Sequence, residues 1–225
     1  MPDYAPIKDS IVQTCRALLA RGFLKATEGN ISQRCSAPTG GALAFAITPS
    51  NYDYARMQVE DICVLDGQAG PIETPRKPSI ESGMHAAVYA ARPDVQAIIH
   101  THQPYASALA LINTPIPTLS DEQVMRLGRS VEIIPYGRSG TADLAGQVRR
   151  SVVTGANAFI LQNHGALVLG AGMEQAVHNL LLLEKCALTY LLALLTGREI
   201  SHIPEAAREM AFAKLMEDQQ KLAGV

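Results

Sequence analysis

The sequence lacks the excess of basic residues that is typical of nucleic-acid-binding proteins. Its 225 residues include 19 lysines and arginines against 21 aspartates and glutamates, for a formal net charge of −2. This balance gives no electrostatic argument for binding nucleic acid or an anionic membrane surface. Hydrophobic residues make up 48% of the chain and charged residues 18%, which is typical of a globular protein rather than a disordered one.

Long uninterrupted apolar runs are also missing. The longest apolar stretch, from Leu180 to Leu195, is interrupted by Glu184 and Lys185, whereas a membrane-spanning helix needs about 18 or more predominantly apolar residues. The first residues contain no basic region followed by an apolar core, so they do not resemble a secretory signal. We therefore expect neither a membrane span nor export.

Cysteines are few, and none is part of a Cys-x-x-Cys motif. Scattered cysteines of this kind are typical of free buried thiols in a reducing compartment, so the expected location is the cytoplasm. The length of the chain predicts a single domain over residues 1–225. The cysteines are Cys15, Cys35, Cys63 and Cys186.

Hydrophobic periodicity predicts helices and strands along most of the chain. Helices are predicted over residues 6–21, 79–92, 104–111, 142–153, 173–195 and 204–222, and strands over residues 42–47, 62–65, 97–102, 131–135, 158–161 and 166–169. Ser79 is the expected N-cap of the second helix. The segment from Thr27 to Ser32 is read as a connecting loop, with an anion-facing Gly-Asn turn as the less favoured alternative.

Two histidines, His100 and His102, end the apolar strand that begins at Ala97. Side chains alternate between the two faces of a strand, so these imidazoles are expected to point to the same side. A catalytic zinc ion typically has three protein ligands and an open position. His164 follows another apolar run and is the expected third ligand. The alternative is that these histidines are merely hydrogen-bonded at polar strand ends.

Glu81 and His85 are expected to lie one turn apart on one face of the predicted second helix. Glu81 could act chemically at the metal, or it could be a first-turn glutamate favoured by the helix dipole. His85 could support the site, or it could be a hydrogen-bonded core histidine. The residues alone leave both alternatives open.

Five short motifs occur together in an order and spacing that resembles the class II aldolase/adducin family, in particular its bacterial L-fuculose-1-phosphate aldolase branch. The resemblance extends from the first predicted helix to the long helix after Gly172. The motifs are Gly29-Asn30-Ile31-Ser32, Ile47-Thr48-Pro49-Ser50, Lys77-Pro78-Ser79-x-Glu81-x-x-x-His85, His100-x-His102 and Gln162-Asn163-His164-Gly165.

The resemblance implies a role for each matched site residue. It implies that His100, His102 and His164 bind a catalytic divalent metal, Zn²⁺ first and Mn²⁺ or Co²⁺ as alternatives. It implies that Glu81 is the catalytic acid and base. The residues that it implies for binding the substrate phosphate are Asn30, Ser50, Asn51 and Ser79.

The resemblance also implies a fold, an assembly and a reaction. The fold is a single-domain α/β/α sandwich with a central, mostly antiparallel sheet, and the assembly is a homotetramer. The reaction is cleavage of a ketose phosphate such as L-fuculose 1-phosphate to dihydroxyacetone phosphate and an aldehyde, through a metal-stabilised enediolate. Alternatives on the same fold are a decarboxylase, a dehydratase and a sugar-phosphate 4-epimerase. A non-catalytic adducin-like module is more remote, because the three histidines and the acid are all present.

Overall fold

The structure is a computed structural model that describes residues 2–38, 40 and 42–223. The helices are α1 (Ala5–Ala20), α2 (Ser82–Ala91), α3 (Pro104–Leu111), α4 (Asp121–Leu127), α5 (Ala142–Val152), α6 (Met173–Leu195) and α7 (Glu205–Ala223), with a short 3₁₀ turn at Val59–Asp61. The strands are β1 (Asn30–Ser36), β2 (Leu43–Ile47), β3 (Cys63–Asp66), β4 (Pro71–Glu73), β5 (Ala97–Thr101), β6 (Glu132–Ile134), β7 (Ala158–Leu161) and β8 (Gly165–Gly170).

Within the described residues the strands form one sheet in the order β4-β3-β2-β1-β5-β8-β7-β6. Every neighbouring pair is antiparallel except β6 and β7, which are parallel. Strand β5 lies between β1 and β8, so the His100 strand is near the middle of the sheet. The predicted mostly antiparallel sheet is confirmed.

Helices cover both faces of this sheet, and β5 illustrates the division. Ala97 and Ile99 belong to the hydrophobic cluster that packs with α1, α3 and α6. Ile98 points to the other face, into the cluster formed with α2 and α5. Side chains two residues apart share a face, so His100 lies on the α2 side. The predicted α/β/α layering is therefore confirmed.

The start of α2 differs from the expectation. Ser79 does not cap this helix, because its Oγ accepts the backbone N–H of Glu81 at 3.2 Å within a separate turn. Ser82 closes that turn by donating its hydroxyl to the carbonyl of Ser79 at 2.7 Å. The helix begins at Ser82, and Glu81 occupies the N-cap position. Glu81 therefore lies at the junction between that turn and α2, and not inside the helix as expected.

Strand β1 begins inside the segment from Thr27 to Ser32 that was expected to be a loop, and that expectation is wrong for residues 30–32. Its sequence, Asn-Ile-Ser-Gln-Arg-Cys-Ser, is too polar for hydrophobic patterning to identify it as a central strand. It nevertheless pairs with β2 on one side and β5 on the other. Helix α4 was also missed, although Ser120 accepts the N–H of Gln123 at 3.2 Å as an N-cap. Strand β4 was missed as well.

Helix α6 is long and apolar enough to cross a membrane by length and composition, a test that core helices of globular proteins also pass. In this fold its first half is built into the core. Ala176, Leu180, Leu183 and Ala187 are buried in the cluster with α1 and α3. The apolar sequence of this half is therefore accounted for by packing against the sheet.

We predict that Gly29→Ala destabilises the protein strongly. Gly29 precedes β1 with a φ of +81°, and an added Cβ would lie 2.5 Å from the carbonyl oxygen of His100. An alanine is strained in this left-handed conformation, and its Cβ overlaps the carbonyl oxygen. Together these effects should lower the free energy of unfolding by about 2–4 kcal/mol, as measured by urea unfolding.

The matched control is Gly83→Ala, in α2, where a Cβ meets no atom within 4 Å. Alanine is the better helix former, so this change should raise the free energy of unfolding by about 0.5–1 kcal/mol. Equal effects of the two substitutions would contradict the close approach of β1 and β5 at Gly29.

Candidate active site

Three histidines from separate parts of the chain converge on one point. The centroids of the His100 and His102 rings are 5.0 Å apart, those of His100 and His164 are 4.7 Å apart, and those of His102 and His164 are 5.0 Å apart. One potential ligand atom from each residue lies within 4.8 Å of the others. The structure therefore brings together the three histidines that the sequence singled out.

Different backbone features position the three rings. His100 is in β5, opposite Leu167 of β8. His102 was expected inside the strand but lies just after the end of β5. Its ring still faces that of His100. His164 lies in the tight turn between β7 and β8, where Asn163 adopts a φ of +55°. Asparagine tolerates this left-handed conformation better than most residues, so it suits the turn that presents His164.

The surroundings keep these imidazoles neutral and leave the correct nitrogen free. The Nδ1 atom of His100 lies 2.8 Å from the carbonyl oxygen of Ala166 and donates its N–H to it, so Nε2 is unprotonated and its lone pair is free to bind a metal. Burial lowers the pKa of His100. Burial, with His100 nearby, also lowers the pKa of His164, to about 4. Neutral imidazoles are the form that binds metals.

The spacing fits a tetrahedral metal. Two nitrogens that each lie about 2.0–2.1 Å from a tetrahedral zinc ion are about 3.4 Å apart. The Nε2 atoms of His100 and His102 are 3.1 Å apart. This separation is close to the spacing expected of two ligands of one ion.

Glu81 completes the cluster. Its side chain is buried, with 6% relative exposure, and Oε2 lies 3.3 Å from Nε2 of His100. Oε1 lies 3.4 Å from Nε2 of His164 and is a buried atom without a hydrogen-bond partner. Burial raises the pKa of Glu81, but His100, His164 and the Asn30 amide outweigh it and lower the pKa to about 2. The carboxylate is therefore ionised at neutral pH and directed at the same point as the histidines.

A buried polar network continues behind Glu81. Asn30 donates from Nδ2 to Oε2 of Glu81 at 2.8 Å. The Oδ1 atom of Asn30 lies 2.5 Å from Nε2 of His85, whose Nδ1 lies 2.6 Å from the hydroxyl of Ser32. The Ser32 hydroxyl lies 2.8 Å from that of Tyr89. Sequence reasoning missed Ser32 and Tyr89, although Ser32 shares a strand face with Asn30 and Tyr89 is one helical turn from His85.

The cluster opens into a cleft of about 240 Å³. One wall forms where Pro49 pairs with Pro78 in an isolated antiparallel bridge and Ser50 donates its N–H to the carbonyl of Lys77 at 2.8 Å. All four residues expected to bind substrate line this cleft, and so do Glu81, His102 and His164. The four are Asn30, Ser50, Asn51 and Ser79.

The cleft also has lining residues that sequence reasoning did not single out. Glu28 directly precedes the Gly29-Asn30 motif and Ile80 lies between Ser79 and Glu81, so their closeness in sequence to the motifs was the available signal. Ser139 comes from the loop after β6, and its hydroxyl lies 3.4 Å from Nε2 of His164. Its segment contains none of the five motifs, so the sequence had no pattern that would identify it.

Residues 9–191 match the family described as Class II Aldolase and Adducin N-terminal domain. The chain belongs to this family. The resemblance inferred from the five motifs is confirmed, and the family uses a divalent metal that the three histidines could bind.

Named relatives of this class II aldolase family member are lyases. A 5-methylthioribulose-1-phosphate/5-deoxyribulose-1-phosphate aldolase of Rhodospirillum rubrum is 32% identical over 184 residues, covering 82% of this chain and 80% of that protein. A 3-oxo-tetronate 4-phosphate decarboxylase of Haemophilus influenzae is 32% identical over 203 residues, covering 88% and 92%. The solved structure of an L-fuculose 1-phosphate aldolase superposes with a TM-score of 0.85 at 30% identity, covering 94% and 96%. The chain is accordingly an enzyme of the lyase class.

We predict that His102→Ala removes bound metal. Loss of one of three ligands should weaken metal affinity by more than about 100-fold, as measured by elemental analysis and by metal titration of the apoprotein. His178→Ala is the matched control, because this half-exposed histidine on α6 lies beside Glu122, outside the cluster. Undiminished metal binding by His102→Ala would contradict the proposed ligand set.

Proposed function

We propose that the protein is a metal-dependent aldolase that cleaves a ketose phosphate resembling L-fuculose 1-phosphate into dihydroxyacetone phosphate and an aldehyde. The observation that carries the proposal is the buried carboxylate of Glu81, 3.3 Å from His100 and 3.4 Å from His164. The proposed ligands are His100, His102 and His164. The proposed metal is Zn²⁺, and Mn²⁺ and Co²⁺ are alternatives because imidazole suits several divalent ions.

A divalent metal bound by three neutral imidazoles would keep its positive charge available to polarise a substrate carbonyl and the adjacent hydroxyl. Glu81 is the residue that moves the proton. As a carboxylate at neutral pH it can accept a proton from the substrate and return it to the carbon released by cleavage of the carbon–carbon bond. Its position between a turn and the first residue of α2 keeps the carboxylate directed at the cluster.

The substrate-binding end of the cleft is assigned to Asn30, Ser50, Asn51 and Ser79. The hydroxyl and amide groups of these side chains are neutral hydrogen-bond donors of the kind that bind phosphate oxygens. All four line the same cleft as Glu81. This arrangement supports a small substrate that contacts the metal at one end and these four residues at the other.

A decarboxylase is the second candidate, and one observation favours it. The Haemophilus influenzae relative named as a decarboxylase covers 88% of this chain at the same 32% identity as the Rhodospirillum rubrum aldolase. Both reactions develop negative charge on a carbon beside a carbonyl, so the same metal and carboxylate could serve either. A dehydratase or a 4-epimerase of the same fold are further alternatives.

A substrate panel separates these candidates. Metal-loaded protein should release dihydroxyacetone phosphate from at least one ketose 1-phosphate, detected by a coupled dehydrogenase. Release of carbon dioxide from a 3-oxo acid phosphate, without activity on ketose 1-phosphates, would favour the decarboxylase and overturn the aldolase proposal.

The proposed assembly is a homotetramer in the cytoplasm. The end of α6 supports self-association, since Leu192 and Leu195 are 56% and 83% exposed, and so do the exposed Leu111 and Ile112 at the end of α3. Exposed apolar patches of this kind mark protein–protein contacts. Sedimentation should show a tetramer, and Leu195→Lys should shift it to smaller species; a monomer for the unsubstituted protein would contradict the assembly.

We predict that Glu81→Gln abolishes turnover while metal remains bound. The amide keeps the shape of the side chain but cannot accept the proton, so kcat should fall by about 10²–10⁴-fold. Turnover of the best panel substrate and metal content are measured on the same sample. Glu209→Gln is the control, since Glu209 lies on α7 and pairs with Arg129 at the surface. Full activity of Glu81→Gln would refute the assigned role.

A further inference from the structure

We propose that His85 is a positioning residue that orients the Glu81 carboxylate by locking the amide of Asn30, at the end of a hydrogen-bond chain from Tyr89 through Ser32. The inference rests on the proposed function of Glu81 as the proton-transferring group. It gives His85 a role that neither the motif spacing nor the metal cluster assigns.

The chain of contacts is continuous and buried. From the far end, the distances are 2.8 Å between the hydroxyls of Tyr89 and Ser32, and 2.6 Å from Ser32 to Nδ1 of His85. They are 2.5 Å from Nε2 of His85 to Oδ1 of Asn30, and 2.8 Å from Nδ2 of Asn30 to Oε2 of Glu81. His85 is 0% exposed and Asn30 is 3% exposed, so water does not compete for these groups.

The orientation of the Asn30 amide sets the direction of the hydrogen bonds. Its Nδ2 donates to Oε2 of Glu81, and its Oδ1 faces Nε2 of His85. That oxygen requires a donor, so Nε2 of His85 carries the proton. Burial lowers the pKa of His85 to about 3, and Nδ1 of the neutral ring is therefore an acceptor. Ser32 then donates to Nδ1 and accepts from Tyr89, so every donor points towards Glu81.

Asn30 is the residue through which this series of hydrogen bonds orients the Glu81 carboxylate. Nδ2 of Asn30 donates to Oε2 of Glu81, and Oε1 has no hydrogen-bond partner. Among the described residues, this is therefore the one hydrogen bond to the side-chain carboxylate of Glu81. If the Asn30 amide rotated by half a turn, its oxygen would face the carboxylate and repel it. The N–H of His85 makes that rotation unfavourable, because the NH₂ group of Asn30 would then face a donor. The imidazole thus selects the amide orientation that holds Glu81 in place.

Rigid elements hold both ends of this contact. Asn30 is in β1, paired directly with His100 of β5. His85 and Tyr89 are one helical turn apart in α2. Correct orientation of a catalytic group depends on such support, and loss of a supporting partner typically costs about 10- to 100-fold in activity.

Two substitutions of His85 separate its two nitrogens. A glutamine amide can reach the position of Nε2 and still donate to Asn30, whereas an asparagine amide reaches only the position of Nδ1 and can contact Ser32 alone. His85→Asn should therefore lower kcat by about 10- to 100-fold, with metal content within about twofold of the unsubstituted enzyme. His85→Gln should recover most of that loss.

Val88→Ala is the control for general destabilisation, because Val88 lies on the same helix, is fully buried in the core and has no polar group that could join the hydrogen bonds from Tyr89 to Glu81. It should lower the melting temperature and leave kcat unchanged. Unchanged kcat in His85→Asn, equal losses in the two His85 variants, or a similar loss in Val88→Ala would each overturn the proposal.

A spectroscopic measurement on the unsubstituted protein makes the test independent of turnover. Long-range ¹H–¹⁵N correlation spectra of the metal-loaded enzyme should show His85 neutral and protonated at Nε2, with the assignment made from the signal lost in His85→Gln. A proton on Nδ1 would reverse the donor direction and overturn the proposal. Inactivity of the unsubstituted enzyme on the whole substrate panel would instead refute the proposed function and leave this spectroscopic test decisive.

Discussion

The antiparallel pairing of β5 with β1 on one side and β8 on the other is the constraint on which the site depends. It sets Asn30 opposite His100 and Thr101 opposite Ala166. The turn between β7 and β8 then brings His164 to the end of β5. Since a slip of one residue would turn every side chain to the opposite face of the sheet, the histidine cluster and the hydrophobic core are specified by the same register.

Strand β1 shows how the polar site is accommodated in the interior. Its side chains at Asn30 and Ser32 point to the α2 side of the sheet, where a hydrophobic core would ordinarily continue. Buried polar groups are tolerated when each has a partner, and a fully connected network also makes the arrangement rigid. His85, Tyr89 and Glu81 supply those partners from α2 and the turn before it. The local departure from hydrophobic patterning therefore coincides with the functional site.

The family and the lyase class follow from the comparisons, whereas the substrate depends on the remaining walls of the cleft. Relatives with similar identity are named for aldol cleavage and for decarboxylation. Both use a carbon that becomes electron-rich beside a carbonyl, so the central cluster is compatible with either. Discrimination must come from residues that contact the departing part of the substrate, because fold and metal do not determine the reaction.

Sequence reasoning singled out His100, His102 and His164 as one cluster, and the resemblance to the family implied a role for Glu81. The structure places all four side chains together. Sequence reasoning also predicted helices α3 and α6 at their observed bounds, since both are rich in apolar helix-forming residues, with Pro104 and Gly172 marking where they begin. Strand β1 and the contacts of Asn30 with His85 and Glu81 were decided by the tertiary structure alone. Their stability comes from pairing and hydrogen bonds between residues more than 50 positions apart, and no local pattern encodes which distant partner satisfies a polar side chain.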